Sequence, residues 1–490
     1  MKNNFKRFVY SILFLLSFTF CLSGAANAAS LEQIKSNGFI NLATNAEFEP
    51  FEYKDGDKIV GIDVDIAKII AQKLGVELRV NDVSFDAVTL ELTSRKCDFA
   101  VAAMSYSQDK AMAVDFSEPY YFAKQVVIVP NKSSIKSPEE LKNKVIGVHL
   151  GCSGDIYCTE NFKDATIERY NRGSDALQDL INGRLDAVVI DDIPAQKLVR
   201  LANHKVKLFD DILFEESYRV AVPKGSTELL EAINQIILEL KNTNEVDKMV
   251  EKYVSQISSP SVDIFAQFYN NLVYKNRYLM ILNGLGTTVQ ITMVALIIGV
   301  IIGLAVSLVK VSSKNNWVFK CLRFLADAYL TVIRGTPVVV QLFVIYYLVF
   351  SSTNLNKIIV AMIAFGINSG AYVSEIIRSG IMSVDAGQYE AGRSLGLNER
   401  ITMTKIILPQ AIKNVLPTLV NEFIQLIKET SVAGFIGITD LSRAGDIIRS
   451  QTYEPLVPLL TVALIYLITV IIMTMFLSFV ERRMRSVDKR

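Results

Sequence analysis

The sequence is poor in the residues on which most catalytic and metal-binding sites depend. Its 490 residues include two histidines, one tryptophan and five cysteines, and no two cysteines form a C-x-x-C pattern. We therefore expect no metal site, no cofactor and no catalytic residue. No Gly-Lys dipeptide occurs, so the chain lacks an ATP-binding loop of the form G-x-x-x-x-G-K-[ST]. A net charge of +1 gives no reason to expect nucleic acid as a partner.

Apolar residues make up 51% of the chain, but they are unevenly distributed. Residues 31–260 have the composition of an ordinary charged globular domain, whereas residues 281–480 contain nearly all of the long apolar runs. This distribution predicts a water-exposed domain followed by a membrane domain.

The N-terminus has the pattern of a secretory signal peptide. Lys2, Lys6 and Arg7 precede an apolar run over residues 8–22, and Ala26-Asn27-Ala28 provides the small-x-small cleavage pattern. We therefore predict a signal peptide over residues 1–28 and an exported domain over residues 29–257.

Three cysteines fall within the exported domain. Cys97 lies in an apolar, strand-like run and is predicted to be part of the core. Cys152 and Cys158 are six residues apart, which is too far for a disulfide on a regular helix. Export permits oxidation, so whether these two cysteines pair remains open at this point.

The exported domain alternates strand-like and helical patterns, which predicts α/β lobes with parallel sheets and a ligand cleft between two lobes. The expected strands are Phe39–Ala43, Glu77–Val80, Asp98–Ala102, Gln125–Val129, Val145–Val148, Ala187–Ile190 and Arg219–Val222. The expected helices include Asp63–Lys73, Asp175–Asn182 and Glu228–Leu240.

Three motifs occur in order in this domain. They are Asn45-x-x-Phe48-x-Pro50-Phe51, the run Gly61-Ile62-Asp63-Val64-Asp65-Ile66-Ala67, and Val114-Asp115-Phe116-Ser117-Glu118-Pro119-Tyr120. Together they resemble the type II periplasmic binding proteins for polar amino acids. The resemblance covers residues 31–255 and implies an amino-acid ligand.

The resemblance also suggests which residues hold the ligand. Asp191 matches the acid that binds the ligand's ammonium group, with Asp192 as the alternative in register. The family's carboxylate-binding Arg is replaced by Lys110, which cannot provide the same bidentate fork. Ser105 and Ser153 are further candidates for the carboxylate.

Side-chain selectivity is expected to depend on three other positions. Phe48 and Phe85 match rings that enclose the ligand's side chain. Asn45 stands where members that bind cationic amino acids carry an acid, which favours a neutral polar ligand. His149 lies near the cleft in the resemblance and is interpreted as structural.

The membrane domain is predicted to begin at residue 281, after a connector over residues 258–280. Five all-α transmembrane spans are expected, at residues 283–309, 326–350, 358–379, 414–438 and 456–480. The exported domain places the start of the first span outside the cell, so that alternate loops are cytoplasmic. Lys and Arg are concentrated in these cytoplasmic loops. The expected topology is therefore five-pass, in a bacterial inner membrane, with the C-terminus in the cytoplasm.

Polar residues also occur within the fourth predicted span. Asn421, Gln425 and Lys428 share one helix face, and Glu422 and Glu429 form a neighbouring stripe. We expect both stripes to face the interior of the helix bundle.

A polar segment over residues 385–410 interrupts the apolar spans. It reads GQYEAGRSLGLNERITMTKIILP from Gly387 to Pro409, and its fixed positions resemble the ATPase-coupling loop of ABC import permeases. The resemblance implies two short helices joined by a glycine turn. The coupling residues would be Gly387, Glu390, Ala391, Gly392, Gly396, Leu408 and Pro409.

Gly284-x-x-x-Thr288 and Arg334-Gly335-Thr336-Pro337 further resemble the amino-acid branch of these permeases. The chain is thus interpreted as a receptor fused to its permease, which imports a polar amino acid. A separate ATPase is expected to drive transport, and two copies of the permease domain are expected per complex. A ligand-gated channel and a membrane-tethered enzyme are the alternatives. The chain lacks a TVGYG-like filter and a Ser/His/Asp constellation, which disfavours both.

Overall fold

The computed structural model describes residues 30–254 and 264–487, except residues 57, 203, 313, 352, 354 and 453. The predicted signal peptide and the predicted end of the exported domain at residue 257 lie outside the described residues.

A mixed sheet of eight strands forms the framework of the N-terminal domain, in the order β5-β1-β6-β11-β7-β10-β8-β9. A separate small sheet contains β2, β3 and β4. The strands are β1 (Phe39–Thr44), β2 (Glu47–Phe48), β3 (Glu52–Asp55), β4 (Lys58–Val60), β5 (Glu77–Asp82), β6 (Phe99–Ala100), β7 (Val114–Pro130), β8 (Val145–His149), β9 (Thr166–Tyr170), β10 (Ala187–Asp191) and β11 (Val206–Pro223).

Helices cover this sheet, and each expected helix is present. They are α1 (Leu31–Asn37), α2 (Ile62–Leu74), α3 (Phe85–Thr93), α4 (Gln108–Ala113), α5 (Ser153–Asn161), α6 (Gly173–Ile181), α7 (Asp192–Leu201), α8 (Thr227–Asn242) and α9 (Glu245–Val254). A short 3₁₀ turn covers Pro138–Leu141.

Two long antiparallel strands join the two lobes of the domain. The beginning of β7 and the end of β11 pair beside β6, whereas Gln125–Ile128 of β7 pair with β10. We call residues 30–121 and 219–254 lobe I, and residues 122–218 lobe II. The expectation of purely parallel sheets is therefore wrong, because β7 and β11 cross between the lobes and run against their neighbours.

Each lobe has its own apolar core. Ile40, Leu42 and Phe99 of lobe I pack with the apolar face of α2. Lobe II has two buried clusters, one on each face of its sheet, which contain Ile128 and Ile146 respectively. Two independent cores joined by two strands allow the lobes to move relative to each other.

The C-terminal domain is helical throughout its regular structure. Its helices are α10 (Ile264–Phe268), α11 (Arg277–Val311), α12 (Trp317–Gly335), α13 (Val338–Phe343), α14 (Lys357–Met382), α15 (Ala386–Ser394), α16 (Glu399–Thr402), α17 (Leu408–Glu429), α18 (Leu441–Thr452) and α19 (Leu456–Val487). Irregular helical turns cover Tyr269–Val273, Tyr274–Asn276, Val344–Val349, Met403–Ile407 and Thr430–Ile436.

Three helical segments in the described part are long and apolar enough to cross a membrane: Phe265–Val311, Lys357–Met382 and Leu456–Phe476. A fourth candidate is the pair Trp317–Gly335 and Val338–Val349, which bends by 114°. The span expected over 326–350 is thus not one continuous helix. Pro337 lies at the bend, where its missing N–H removes a helical hydrogen bond. The helix α17, within the fourth expected span, is not among these apolar candidates.

The polar segment between α14 and α17 folds as two short helices, as predicted. The chain reverses at Gly396, whose φ of +81° is a left-handed conformation that suits glycine. Gly392 is buried, and a Cβ there would lie 2.7 Å from Thr402 Cγ2. Leu408 and Pro409 begin α17, where proline is tolerated. Gly387, Glu390 and Ala391 all lie on α15.

Candidate functional site

A cavity lies between the two lobes and collects residues from five strands and two helices. Six of the seven residues that we predicted to bind substrate line it: Asn45, Phe48, Phe85, Ser105, Ser153 and Asp191. The remaining lining residues are Glu52, Ala102, Ala103, His149, Cys152, Glu216 and Tyr218. Lys110 is the predicted residue that the cavity does not include.

Asp191 is the last residue of β10 and stands at the N-cap position of α7. Its side chain is buried, with 6% of the residue exposed. It accepts a hydrogen bond from Gln125 Nε2 at 2.8 Å and a second from the Tyr218 hydroxyl. Asp192, the alternative in register, does not line the cavity.

Glu216 provides a second carboxylate beside Asp191. Its two oxygens accept hydrogen bonds from Gln125 Nε2 and, at 2.6 Å, from the Ser153 hydroxyl. Burial and the nearby negative charge of Glu216 raise the pKa of Asp191 well above its usual value. In the empty cavity the two carboxylates therefore repel each other, which a bound cation would relieve.

Two other ionisable groups of the cavity have pKa values that burial shifts toward the neutral form. Burial and the neighbouring Asp63 raise the pKa of Glu52 well above its usual value. Burial lowers the pKa of His149. In both cases burial favours the neutral form of the side chain.

Aromatic rings form one wall of the cavity. The rings of Phe48 and Phe85 both lie against His149, with centroid separations of 6.4 and 5.8 Å. Phe48 also stacks on Phe51, which is buried in lobe I. The two predicted phenylalanines are therefore near each other, with the imidazole beside both.

Asn45 and Ser105 lie in the wall of the cavity that lobe I contributes. The side-chain amide of Asn45 donates to the Val83 carbonyl at 2.8 Å, so this residue fixes the backbone between β5 and α3. Ser105 forms an isolated β-bridge with Tyr218 and is buried. Both side chains thus serve the fold as well as lining the cavity.

Lys110 lies at the margin of the cavity on α4. Its ammonium nitrogen is 3.4 Å from the Gly151 carbonyl oxygen of lobe II and 5.3 Å from the centre of the Phe85 ring. The side chain therefore extends from lobe I across the entrance toward lobe II.

The cysteines of the exported domain are free. Cys97 is buried in the core, as predicted. Cys152 is the N-cap of α5 and Cys158 lies within this helix, and the Cys152 thiol is 3.3 Å from His149 Nδ1. Because α5 is a regular helix, the two thiols cannot meet, and the open question of a disulfide is answered for this structure.

The sequence analysis did not identify Glu216, Tyr218, Glu52 or Cys152 as cavity residues. Glu52 directly follows Phe51 in the first motif, and Glu216 and Tyr218 precede the predicted strand Arg219–Val222. The long strand β11 begins at Val206, well before that prediction, and its part that precedes Arg219 carries Glu216 into the cavity.

In the membrane domain, the polar stripes of α17 occupy different environments. Glu422 is half-buried and accepts a hydrogen bond from Ser369 at 2.9 Å. Asn421, Gln425 and Lys428 are instead exposed, so the expectation that this stripe faces the bundle interior is wrong for the single chain. Nearby, Glu375 and Arg378 pair with each other, as their spacing suggests.

Comparisons with known proteins agree with both halves of this architecture. Residues 40–256 match the bacterial extracellular solute-binding proteins, family 3. Residues 295–486 match the binding-protein-dependent transport system inner membrane component.

Individual relatives match one half each. The arginine transport system permease protein ArtQ of Bacillus subtilis is 40% identical over 210 residues, which are 42% of this chain and 94% of ArtQ. The arginine-binding extracellular protein ArtP of the same organism is 31% identical over 245 residues, 49% of this chain and 93% of ArtP. A crystal structure of the substrate-binding protein AbpA from Streptococcus pneumoniae, bound to L-arginine, is 33% identical with a TM-score of 0.44. It covers 46% of this chain and 99% of that chain.

A two-lobed solute-binding domain with a cavity between its lobes, joined to a helical membrane domain, defines a receptor–permease. The chain belongs to the amino-acid ABC importers and combines the solute-binding and permease components in one polypeptide. It is a transporter subunit for polar amino acids in the inner membrane, with its binding domain in the periplasm and an ATPase as partner.

Proposed function

We propose that this chain captures a cationic amino acid, of the arginine and lysine class, in the cavity between the lobes. The observation that carries this proposal is a pair of carboxylates, the buried Asp191 and the half-buried Glu216, in a cavity that no cationic side chain lines. Among the relatives, two named for arginine support the same class, whereas others are named for glutamine or L-cystine.

The charges of the site support a ligand with a net positive charge. Asp191 and Glu216 contribute two negative charges when a ligand allows both to ionise, and Lys110 contributes one positive charge at the margin. A zwitterion with a neutral side chain would leave one buried negative charge unbalanced, which is costly. A cationic amino acid neutralises the site.

The parts of the ligand have matching partners. Its carboxylate faces Ser105, Lys110 and the N-terminus of α5 at Ser153, where backbone N–H groups and the helix dipole favour an anion. Its α-ammonium group pairs with Asp191. The cationic side chain lies against the rings of Phe48 and Phe85, where a cation–π contact stabilises it. Glu216 accepts from the same Gln125 Nε2 as Asp191, so it adds its negative charge beside the α-ammonium group.

Asn45 does not set the charge preference in this proposal. From the sequence, the absence of an acid at position 45 favoured a neutral ligand. In the structure, the Asn45 amide donates to the Val83 carbonyl and thus has a structural role. Charge selection falls to Glu216, which the sequence analysis did not consider.

The permease half is proposed to cross the membrane five times, with its C-terminus in the cytoplasm and the segment 385–410 as the ATPase-docking hairpin. Three apolar helices, the bent pair and the amphipathic α17 provide the five crossings. Gly387, Glu390, Ala391, Gly392, Gly396, Leu408 and Pro409 shape the hairpin.

Two copies of the permease are proposed to form the complex. Asn421, Gln425 and Lys428 are exposed on α17 of the single chain. Polar side chains facing lipid are costly, and a second copy would cover this face and line a shared path.

Isothermal titration of the full chain in nanodiscs with L-arginine, L-lysine, L-glutamine and L-cystine tests the ligand. We expect micromolar or tighter binding of arginine or lysine, loss of it in Asp191→Ala, and retention in the control Asp192→Ala. Tight binding of glutamine with no response to arginine or lysine would refute the cationic class and leave the importer assignment intact.

A further inference from the structure

We propose that lobe I is a fixed part of the permease domain and that lobe II alone moves during transport. The binding domain then does not dock and dissociate as one tethered unit. Lobe I stays bound to the external face of the permease, and lobe II opens and closes against it. This inference concerns how the two domains are joined and does not depend on which amino acid is bound.

Lobe I and the permease share one apolar core. Helix α3 of lobe I contributes Val88 and Leu92 to a buried cluster that also contains Leu342, Tyr347 and Ile436 of the permease. An apolar core that continues across two domains is typical of permanent interfaces, whereas transient ones are more polar.

Buried charges reinforce this contact. The guanidinium group of Arg443, on α18, lies 3.0 Å from Asp82 and 3.2 Å from Glu47, and its side chain is only 6% exposed. Lys54 of lobe I pairs with Asp82 at 3.1 Å and also donates to Thr439 Oγ1 of the permease at 2.8 Å. Separating lobe I from the permease would leave these charged groups without their ion-pair partners, at a large cost in free energy.

The backbones of lobe I and the permease also approach closely. Gly437 has a φ of +77°, and a Cβ at this position would clash with the Asp82 carbonyl oxygen. The Lys357 ammonium group donates to the same carbonyl at 2.9 Å, and the Lys96 ammonium group donates to the Phe350 carbonyl at 2.9 Å. Lobe I is therefore fitted to the permease through main-chain as well as side-chain contacts.

Lobe II meets the permease differently, through ion pairs on the same helix α18. Arg449 lies 3.3 Å from Asp175, and Arg172 lies 3.4 Å from Asp446. Among the described residues, the buried apolar clusters of lobe II contain no permease side chain. The acids in these pairs, Asp175 and Asp446, are 26% and 32% exposed, against 7% for Asp82, so separating the lobe II pairs costs less than separating those of Arg443.

Arg172 links the closure of the cleft to the permease. It also pairs with Glu47 of lobe I at 2.8 Å, across the cleft. Glu47 in turn contacts Arg443. When lobe II swings away, the pairs of Arg172 with Glu47 and Asp446 and the pair of Arg449 with Asp175 all break. Helix α18 thus favours the closed cleft.

Double electron–electron resonance on the full chain in nanodiscs tests this division. With Cys321 replaced by serine, spin labels at the exposed positions Lys58 and Leu355 report lobe I against the permease, and labels at Lys163 and Leu355 report lobe II. Without added ligand, we expect one narrow distance for the first pair and a broad distribution for the second. Saturating L-arginine should narrow the second and leave the first unchanged.

Two variants separate the contacts. Arg449→Ala should broaden only the lobe II distribution, whereas Gly437→Val should broaden the lobe I distribution by expelling Asp82. A broad or two-peaked lobe I distribution in the otherwise unaltered, ligand-free chain would overturn the proposal. A failure of arginine to narrow the lobe II distance would count against the proposed ligand, while the lobe I result would still decide the anchoring.

Discussion

At the scale of single residues, the cavity is built from groups that are costly to bury while it is empty. Asp191 and Glu216 share the donor Gln125 Nε2, and each needs a further hydroxyl partner. Such a pair is unfavourable for the unliganded fold and favourable for binding a cation, which is a common trade-off between stability and function.

Asp191→Asn should therefore stabilise the empty chain while it abolishes ligand binding. Because the folded-state pKa of Asp191 is raised, the folded state binds a proton more tightly than the unfolded state. Its contribution to stability is full below the unfolded pKa of about 4 and is lost as pH rises through the folded pKa. At pH 7 we expect the variant to gain about 1–2 kcal/mol, or a few degrees in melting temperature.

Thermal unfolding from pH 4 to pH 8 checks this expectation. The advantage of Asp191→Asn over the parent chain should grow with pH in the absence of ligand. A variant that is less stable than the parent at pH 7 would contradict the account.

Glu216→Gln should change which amino acid is bound. The substitution keeps the size of the side chain and can still accept a hydrogen bond from Ser153, but it removes one negative charge. We expect arginine affinity to fall at least about tenfold, equivalent to about 1.4 kcal/mol, with glutamine affinity unchanged or improved. Competition titrations of both ligands against the parent and the variant measure the difference, and equal losses for both would argue against charge selection.

Most of the site residues could be predicted from the sequence, because the motifs place them at strand ends that converge between the lobes. Asp191 follows a buried apolar strand, and Phe48 lies in a short motif with fixed spacing. Glu216 could not be predicted in this way. It lies within a long strand at a point where the charged pattern FEESYR resembles a surface loop.

At the scale of elements, glycines decide how the hairpin over residues 385–410 folds. The reversal at Gly396 was predicted from residue type, since few other residues fit a left-handed turn. The close packing of Gly392 against Thr402 was not predicted. The bend of 114° between α12 and α13 was not predicted. The span was inferred from the apolar composition of residues 326–350, which carries no information on helix direction, and Pro337 alone does not specify the angle.

Gly392→Val should uncouple the ATPase without affecting ligand binding. The new side chain would overlap Thr402 Cγ2 and Ile406 Cδ1 and push the two short helices apart. In the complex purified with its ATPase, we expect ligand-stimulated ATP hydrolysis to fall at least tenfold while arginine affinity stays unchanged. Gly286→Ala is the control, because its new Cβ meets no described atom within 4 Å. Normal stimulation in Gly392→Val would exclude the hairpin as the coupling element.

At the scale of the whole molecule, the periodicity of the sequence predicted a soluble and a membrane half but could not predict how they meet. Arg443 and Asp82 are 361 residues apart and each resembles an ordinary surface charge in the sequence. Their burial results from the docking of the two domains, which no local pattern encodes.

Docking makes ligand affinity a property of the whole chain. Because the pair of Arg449 with Asp175 forms only with the cleft closed, removing it should weaken ligand binding although neither residue lines the cavity. For a partly buried pair worth about 1 kcal/mol, Arg449→Ala should lower arginine affinity about fivefold. Arg449→Lys should restore most of it.

The same coupling must act in both directions, since a ligand that stabilises the closed cleft also stabilises the contact between lobe II and α18. Arginine affinity of the parent chain should therefore fall as ionic strength rises, because salt screens the solvent-facing acids of these partly buried ion pairs. In Arg449→Ala the fall should be smaller, since one of the screened pairs is already absent. Titrations at 50 mM and 500 mM salt measure both slopes. If the parent and Arg449→Ala have the same salt dependence, the Arg449 pair does not contribute to closure, and the coupling must act through Arg172 alone.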